Sequence, residues 1–154
     1  MKILMVCLGN ICRSPLADGL LRDKAKKEGL NLKVDSAGTI GIHAGDSPDS
    51  RMQATALKFG TDLSQLRSRQ FKVNDFQDFD LIYAMDKSNY QNILSLAKTE
   101  IERAKVRLIL NELTPGKDME VPDPYYGGEQ GFIDVYNMLD QATDKIISKL
   151  KDDE

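Results

Sequence analysis

The sequence has no tryptophan, one histidine and two cysteines among its 154 residues. A structural zinc site takes about four Cys or His ligands, so this inventory nearly excludes one. Two cysteines also exclude the disulfide framework that stabilises many small secreted domains. A Cys–His or Ser–His nucleophilic pair could use only His43. A catalytic cysteine in this chain would therefore need an activating group other than a neighbouring imidazole.

Long apolar runs are missing as well, since no stretch approaches the roughly 18 residues of a membrane span. The start MKILMVCLGN resembles a signal peptide only briefly, because Gly9, Asn10 and Arg13 interrupt the pattern. We therefore expect a cytoplasmic protein without membrane insertion, and export without a leader stays open. A net charge of −3 argues against non-specific nucleic-acid binding, for which a basic surface supplies most of the attraction.

Short apolar runs alternate with helical patterns along the chain, which is typical of a doubly wound, mostly parallel α/β sheet. Strands are predicted at residues 2–8, 31–39, 80–86 and 105–110. Helices are predicted at residues 16–29, 51–60, 87–98 and 131–151, with Pro15 at a first helical position. Residues 66–79 read as a loop with a short helix, and the breaker-rich residues 111–130 as a long loop. We find no linker and expect one domain over residues 1–154, with ligands bound beyond the carboxyl ends of the strands.

The segment VCLGNICRSP, residues 6–15, lies where the first predicted strand reaches that edge. A glycine-containing loop that returns to a helix N-terminus turns backbone N–H groups inward and forms an anion cradle. Arg13 adds a guanidinium fork suited to two phosphate oxygens. The same donors favour an ionised thiol, so we predict that Cys7 is a thiolate placed for in-line attack on phosphorus. The Cys–Arg spacing alone also fits a buried core cysteine and a surface ion pair.

A thiolate alone cannot complete a hydrolysis, because the leaving oxygen needs a proton and a phosphocysteine needs an activated water. One carboxyl group can do both, and VPDPYYGG supplies Asp123 between two stiffening prolines. Tyr125 and Tyr126 follow, and their rings could line a slot for a flat aromatic leaving group. Taken alone, this segment is explained more simply as a rigid surface turn with packed tyrosines.

Together, VCLGNICRSPLAD, DSAGT, DLIYAMDKSN and DPYYGG resemble the low-molecular-weight protein tyrosine phosphatases, in the family's order and over nearly the whole chain. The resemblance implies a four-stranded parallel twisted sheet with helices on both faces. It also implies hydrolysis of phosphotyrosine through a phosphocysteine, without a metal or cofactor. In that mechanism Cys7 is the nucleophile, Arg13 the phosphate clamp and Asp123 the general acid and base.

The resemblance assigns the remaining loop positions too. The phosphate cradle would be made by the amides of Leu8, Gly9, Asn10, Ile11, Cys12 and Arg13. Ser14 would donate to the thiolate, and Asn10 would brace the loop with support from Ser36. Cys12 matches a second loop cysteine that can form a reversible disulfide with the nucleophile. The implied partners are phosphotyrosine-containing proteins, inorganic phosphate or a similar oxyanion, and a cognate tyrosine kinase.

Two positions depart from the family pattern. Ile42 stands where the family often has an aromatic residue on the cleft wall, so substrate preference and rate are open. Leu66 stands where the family often has a histidine that supports the loop asparagine, and a leucine side chain cannot hydrogen-bond. The brace on Asn10 would then be weaker or come from elsewhere.

Other residues and functions have simpler or rival explanations. His43 fits a partly exposed residue at the cleft rim. Asp86 and Ser88 could reach the edge of the site, but a cap of the following helix is the simpler explanation. An arsenate reductase on this scaffold would need further thiols for its disulfide relay. A phosphocysteine carrier of a sugar-uptake relay would have no use for Asp123 and the tyrosines. A weakly catalytic phosphotyrosine-binding module stays open because of Ile42 and Leu66.

Overall fold

The computed structural model describes residues 1–153, except for the side chain of Tyr126. Its strands are Lys2–Cys7 (β1), Lys33–Gly38 (β2), Leu81–Ala84 (β3) and Val106–Leu108 (β4). They form one parallel sheet in the order β2-β1-β3-β4. The central strand β1 is buried at every residue after its first, which explains its nearly continuous apolar run. The predicted four-stranded parallel sheet is confirmed.

Helices cover both faces of this sheet. They are Arg13–Lys27 (α1), Ser50–Lys58 (α2), Asp75–Asp78 (α3), Lys87–Leu96 (α4), Glu100–Ala104 (α5) and Gly128–Asp152 (α6), with 3₁₀ turns at Ile109–Glu112 and Pro124–Tyr126. Side chains of β1 alternate between two cores. Ile3, Met5 and Cys7 join the core under α1 and α6, while Leu4 and Val6 join the core under α3 and α4. This alternation is the doubly wound arrangement expected from the sequence.

Several element boundaries differ from the predictions. The helix α1 begins at Arg13, so Pro15 lies inside its first turn rather than at its first position. The fourth predicted strand ends at Leu108, and its last apolar residues continue into a 3₁₀ turn. The short helix α5 was not predicted, although Thr99 caps it by accepting from the Glu102 amide. No helix in the described part of the chain is long and apolar enough to cross a membrane.

Gly38 ends β2 where two backbone segments approach each other closely. A Cβ atom built there would lie 2.8 Å from the Leu8 carbonyl oxygen and 3.0 Å from the Gly9 carbonyl carbon. On its other side, the Gly38 amide donates to the Arg69 carbonyl at 2.9 Å, and its carbonyl accepts from the Phe71 amide at 2.7 Å. Only glycine fits between these segments, because neither neighbour is a side chain that can move away.

We predict that Gly38→Ala displaces the loop after β1. Overpacking against backbone should lower the free energy of unfolding by about 1–3 kcal/mol, measured by urea denaturation. Binding of inorganic phosphate, followed by calorimetry, should be lost. Gly29→Ala is the matched control, since its φ of 68° makes an added side chain unfavourable by about 1–2 kcal/mol. Phosphate binding that survives in Gly38→Ala as well as in the control would contradict the prediction.

Candidate active site

Residues 8–12 connect β1 to α1 at the carboxyl edge of the sheet. Five carbonyl oxygens here accept hydrogen bonds from the surrounding chain: Cys7 from the Thr39 amide at 2.9 Å, Leu8 from Ile40 at 3.0 Å, Ile11 from Asp49 at 2.8 Å, Cys12 from Leu16 at 3.3 Å, and Gly9 from the Ser68 hydroxyl at 3.1 Å. In a trans peptide the carbonyl and the next amide point in opposite directions. Bonds that hold the carbonyls outward therefore turn the following amides toward the middle of the loop.

These amides have no hydrogen-bond acceptor in the part of the chain that the structure describes. Among the hydrogen bonds of the described residues, none has an amide of residues 8–13 as its donor. Convergent N–H groups at the start of a helix form a binding site for an anion, and the dipole of α1 adds to their positive potential. Inward-facing amides at the start of a helix are the geometry that the predicted phosphate cradle requires.

Cys7 lies at the base of this loop. Its side chain is buried, and its Sγ atom is 3.0 Å from the Ser14 hydroxyl in the first turn of α1. A hydroxyl donor and a helix N-terminus both stabilise negative charge on sulfur. The structure therefore places the Cys7 sulfur next to the Ser14 hydroxyl, the pair that the family resemblance implies.

Asn10 holds the loop in shape from within. It has a left-handed backbone with φ 58°, and its Nδ2 group donates to Ser14 Oγ at 2.8 Å and to Ser36 Oγ at 2.9 Å. Its Oδ1 atom accepts from the Arg69 amide at 3.0 Å. This third bond is support from elsewhere in the chain, while Leu66 packs against the apolar core.

Arg69 is a site residue that the sequence analysis missed. Its guanidinium is held by two carboxylates, with Nε 3.1 Å from Asp35 Oδ2 and Nη1 3.1 Å from Asp75 Oδ2. These ion pairs fix the backbone whose amide reaches Asn10. No motif pointed to this role, because the group that acts is a backbone amide and any residue type supplies one.

Arg13 is buried, and its contacts orient the guanidinium. Nη1 donates to Asp86 Oδ2 at 2.7 Å and to the Val121 carbonyl at 3.0 Å. Nε and Nη2 make no hydrogen bond to another described residue. Burial opposes the charge of Arg13, but the negative charges of Cys7 and Asp86 outweigh it and raise the pKa of the guanidinium. The residue stays a cation with one edge available to a ligand.

Asp86 caps a helix and also reaches the site, the two possibilities that the sequence offered for it. Its Oδ1 atom accepts from the Asn89 amide at 2.8 Å, which is the expected cap of α4. Its other oxygen forms the ion pair with Arg13, a partner that the sequence analysis did not name. The Val121 amide donates to the Met85 carbonyl at 2.9 Å. Arg13, Asp86 and the chain at Val121 are therefore held as one unit.

A cleft of about 330 Å³ opens at the loop. Its walls are made by Cys7, Leu8, Gly9, Ile11, Cys12, Arg13, Ile40, Ile42, His43, Asp123 and Tyr125. The structure thus places Asp123 and Tyr125, which are distant in sequence, in the same cleft as Cys7 and the loop of residues 8–12. Ile40 is a wall residue that the sequence analysis missed. The side chain of Tyr126 lies outside the described part of the structure.

The outer rim of the cleft carries the remaining predicted residues. Asp123 is exposed, and its Oδ1 atom accepts from the Tyr125 amide at 3.0 Å, which sets the direction of the carboxyl group. The Arg51 guanidinium lies 5.0 Å from the centre of the Tyr125 ring. Ile42 is 76% exposed. His43 lies at the rim as expected, with Nδ1 3.2 Å from Asp46 Oδ2.

The two cysteines have different environments, although both are free thiols in one core cluster. Burial, followed by the negative charges of Asp49 and Cys7, raises the pKa of Cys12 to about 12. Cys12 is therefore a protonated thiol at neutral pH. Within residues 1–153, no group of three or more His, Cys, Asp or Glu side chains is arranged to hold a metal ion.

Comparison with known proteins gives consistent matches over the chain. The family model of low molecular weight phosphotyrosine protein phosphatases matches residues 2–154. A low molecular weight phosphotyrosine protein phosphatase of Schizosaccharomyces pombe is 43% identical over 141 residues, covering 90% of this chain and 89% of that protein. A protein tyrosine phosphatase from Entamoeba histolytica, solved with Hepes in the active site, has a TM-score of 0.91 and 40% identity, covering 99% of this chain and 97% of its own. The structure of YfkJ from Bacillus subtilis has a TM-score of 0.92 and 33% identity, covering 100% of this chain and 96% of that chain.

The contrast between the two cysteines predicts selective alkylation. At pH 7.5 iodoacetamide should modify Cys7 and leave Cys12 intact, because the raised pKa of Cys12 keeps it protonated. Peptide mass spectrometry after a short reaction identifies the labelled residue, and inorganic phosphate should protect it. In urea both cysteines should react, which serves as the control. Equal labelling of both cysteines in the folded protein would contradict this prediction.

Proposed function

The chain belongs to the low molecular weight phosphotyrosine protein phosphatase family, and on that basis we propose that it hydrolyses phosphotyrosine through a phosphocysteine on Cys7. The family match confirms the resemblance stated from the motifs. The observation that carries the proposal is that no amide of residues 8–13 donates a hydrogen bond within residues 1–153, in the loop that lines one cleft with Cys7. An enzyme that handles a phosphate dianion without a metal needs such a preorganised set of donors.

In the first step the phosphoryl group of the substrate rests in the cradle. The loop amides and the open edge of Arg13 bind its three non-bridging oxygens, which carry the spread charge of a loose transition state. The Cys7 thiolate attacks phosphorus, forming the S–P bond as the bond to the phenol oxygen breaks. The phenol oxygen leaves with that electron pair and takes the proton of Asp123, and general acid catalysis of this kind contributes about 10²- to 10⁴-fold.

In the second step water attacks the phosphocysteine. The ionised Asp123 accepts a proton from this water while the new P–O bond forms. The S–P bond breaks, inorganic phosphate is released, and Cys7 returns as a thiolate. The Ser14 hydroxyl, 3.0 Å from the sulfur, stabilises the departing anion. Asp123 ends the cycle protonated and ready to act as the acid again.

The walls of the cleft favour an aromatic substrate. Cys7 is 3% exposed, so the phosphoryl group must reach down to it through the cleft. A phenol is long enough to span this depth and apolar enough to lie between Ile42 and Tyr125. We propose Tyr126 as a further contact. A phosphoserine places its backbone too close to the rim to insert its phosphate as deeply.

The rival functions fit this site less well. An arsenate reductase lacks the thiols it would need, because Cys7 and Cys12 are the only cysteines. A phosphocysteine carrier does not explain a carboxyl group that shares the cleft with the nucleophile. Ile42 and Leu66 suggest a weakly catalytic phosphotyrosine-binding module, and the Arg69 amide, 3.0 Å from Asn10 Oδ1, answers the part of that argument that rests on Leu66.

The wider setting follows from the same proposal. We infer that phosphotyrosine-containing proteins are the substrates, that a cognate tyrosine kinase produces them, and that the protein acts in the cytoplasm. Inorganic phosphate or a similar oxyanion would occupy the loop between turnovers, as Hepes occupies the active site of the Entamoeba histolytica phosphatase. One catalytic domain over residues 1–154 would carry the activity without a cofactor.

Cys7→Ser tests the nucleophile. A hydroxyl at this position is far less ionised than a thiol, so hydrolysis of phosphotyrosine and p-nitrophenyl phosphate should fall below detection. Inorganic phosphate should still bind, which shows that the cradle is intact. Turnover of the variant is measured in steady-state assays with a chelator present. The intermediate is sought by ³¹P NMR, which should show an S–P signal in acid-quenched wild-type enzyme. Turnover by the variant, or quenched enzyme without that bond, overturns the proposal.

Asp123→Asn tests the proton donor. The variant should lose about 10²- to 10³-fold in kcat/KM with phosphotyrosine, whose phenol is a poor leaving group, because kcat/KM reports the first step alone. The loss should be much smaller with an aryl phosphate whose phenol is strongly acidic. Asp46→Asn is the matched control, since Asp46 is an exposed carboxylate beside His43 at the rim. An equal loss with both substrates would assign Asp123 a structural role instead.

A further inference from the structure

Residues 113–123 connect the 3₁₀ turn Ile109–Glu112 to Asp123 and lie outside every helix and strand. Residues 114–120 are exposed along their whole length. An exposed segment of this kind opens easily unless specific contacts hold it. The proposed proton donor stands at its end, and a displacement of about 1 Å in a reacting group can cost about 10²-fold in rate. The position of Asp123 therefore depends on how this segment is attached to the rest of the protein.

One pair of contacts closes the segment on the 3₁₀ turn before it. The Asn111 Nδ2 group donates to Asp118 Oδ1 at 3.0 Å, and the Asp118 amide donates to Asn111 Oδ1 at 2.9 Å. Asp118 has a left-handed backbone with a φ of 53°, which is unfavourable for a residue with a side chain. The two bonds stabilise this turn, from which the chain continues to Glu120.

Glu120 attaches the segment to the first turn of α4. Its Oε2 atom accepts from the Lys87 amide at 2.9 Å. This amide is one of the N–H groups that a helix leaves without an internal partner at its start, and the helix dipole favours a carboxylate at that end. The helix already has a local cap, since Asp86 Oδ1 accepts from the Asn89 amide at 2.8 Å. The contact with Glu120 therefore adds an attachment between parts of the chain that are 33 residues apart.

The chain from Glu120 to Asp123 has little freedom to bend. Val121, the residue between Glu120 and the first proline, is 0% exposed. Pro122 and Pro124 flank Asp123, and a proline fixes its own φ and restricts the residue before it to an extended backbone. Asp123 has such a backbone, with φ −71° and ψ 117°. A rotation of the chain at Glu120 or Val121 would therefore be carried to the Asp123 carboxyl group.

Two attachments oppose that rotation, and they differ in their relation to the substrate. The Val121 amide donates to the Met85 carbonyl at 2.9 Å, and the Val121 carbonyl accepts from Arg13 Nη1 at 3.0 Å. Arg13 also belongs to the proposed phosphate site, so its position responds to a bound phosphoryl group. Neither Glu120 nor Lys87 is among the described residues that line the cleft. Their contact can therefore hold the segment in the same way throughout the reaction.

We propose that Glu120 is a positioning residue for the phosphatase reaction, whose carboxylate holds the stiff segment of residues 121–124 against the start of α4 and so keeps the Asp123 carboxyl group in place to protonate the leaving phenol. Glu120 touches neither substrate nor reacting atoms. The proposal rests on the proposed function for its link to turnover. The attachment itself can also be measured without any substrate.

Glu120→Ala is the direct test. Its kcat/KM for phosphotyrosine should fall about tenfold, because the first step needs the proton of Asp123 and the segment that carries Asp123 is held less firmly. For an aryl phosphate whose phenol is strongly acidic, kcat/KM should fall less than about twofold, since this leaving group needs no proton. Glu120→Gln keeps a side-chain oxygen for the Lys87 amide but loses the charge. Its kcat/KM for phosphotyrosine should stay within about threefold of the wild type.

A double-mutant cycle separates positioning from a general loss of stability. In the Asp123→Asn background the proton donor is absent, so adding Glu120→Ala should change kcat/KM for phosphotyrosine by less than about twofold. A residue that only stabilised the fold would lower the rate in both backgrounds. Gln91→Gly is the control for helix stability, because it weakens α4 at an exposed position away from the contact. Glu129→Ala is the control for charge, because it removes an exposed carboxylate that pairs with Lys58. Both controls should keep the wild-type kcat/KM.

Amide exchange measures the attachment in the absence of substrate. The Val121 amide should exchange with D₂O about tenfold faster in Glu120→Ala than in the wild type, followed by NMR, because the segment opens more easily. The proposal is overturned by unchanged exchange in Glu120→Ala, by an equal effect on both substrates, or by a loss of rate that persists in the Asp123→Asn background. A wild-type protein whose exchange responds as expected but which does not hydrolyse aryl phosphates contradicts only the proposed function.

Discussion

The planar peptide bond is the constraint on which the site depends. Five carbonyls between Cys7 and Cys12 are held outward by bonds from the surrounding chain, and planarity then turns the following amides inward. Donors of this kind are positioned before any ligand arrives, so little reorganisation is needed when charge develops on a bound phosphoryl group. The cradle is therefore a property of the packing around the loop as much as of the loop itself.

The polar groups beneath the loop are buried and depend on one another. Asn10 and Ser14 are 1% and 0% exposed, and in such surroundings each donor must find an acceptor. Asn10 meets this requirement by bonding to three separate segments through Ser14, Ser36 and the Arg69 amide. The arrangement is over-determined, which explains how Leu66 can replace a polar residue while Asn10 keeps its left-handed backbone.

Arg13 couples the cradle to the opposite wall of the cleft. Its bonds to Asp86 and to the Val121 carbonyl reach the chain that leads to Asp123. The proposed phosphate-binding cation and the proposed proton donor are thus placed by shared contacts at the carboxyl edge of β1 and β3. This geometry suits a reaction in which both groups act on the same phosphorus–oxygen bond.

The sequence alone determined the parallel α/β fold and the loop after the first strand, and it predicted the roles proposed for Cys7, Arg13 and Asp123. These follow from local signals, because apolar runs, glycine turns and reactive side chains are visible residue by residue. Only the tertiary structure decided how Asn10 is supported and that Asp86 pairs with Arg13. The Arg69 contribution is a backbone amide, which leaves no trace in residue type, and the ion pair joins residues far apart in the chain. Long-range contacts of this kind depend on how the strands are ordered in space, and a single sequence does not display that order.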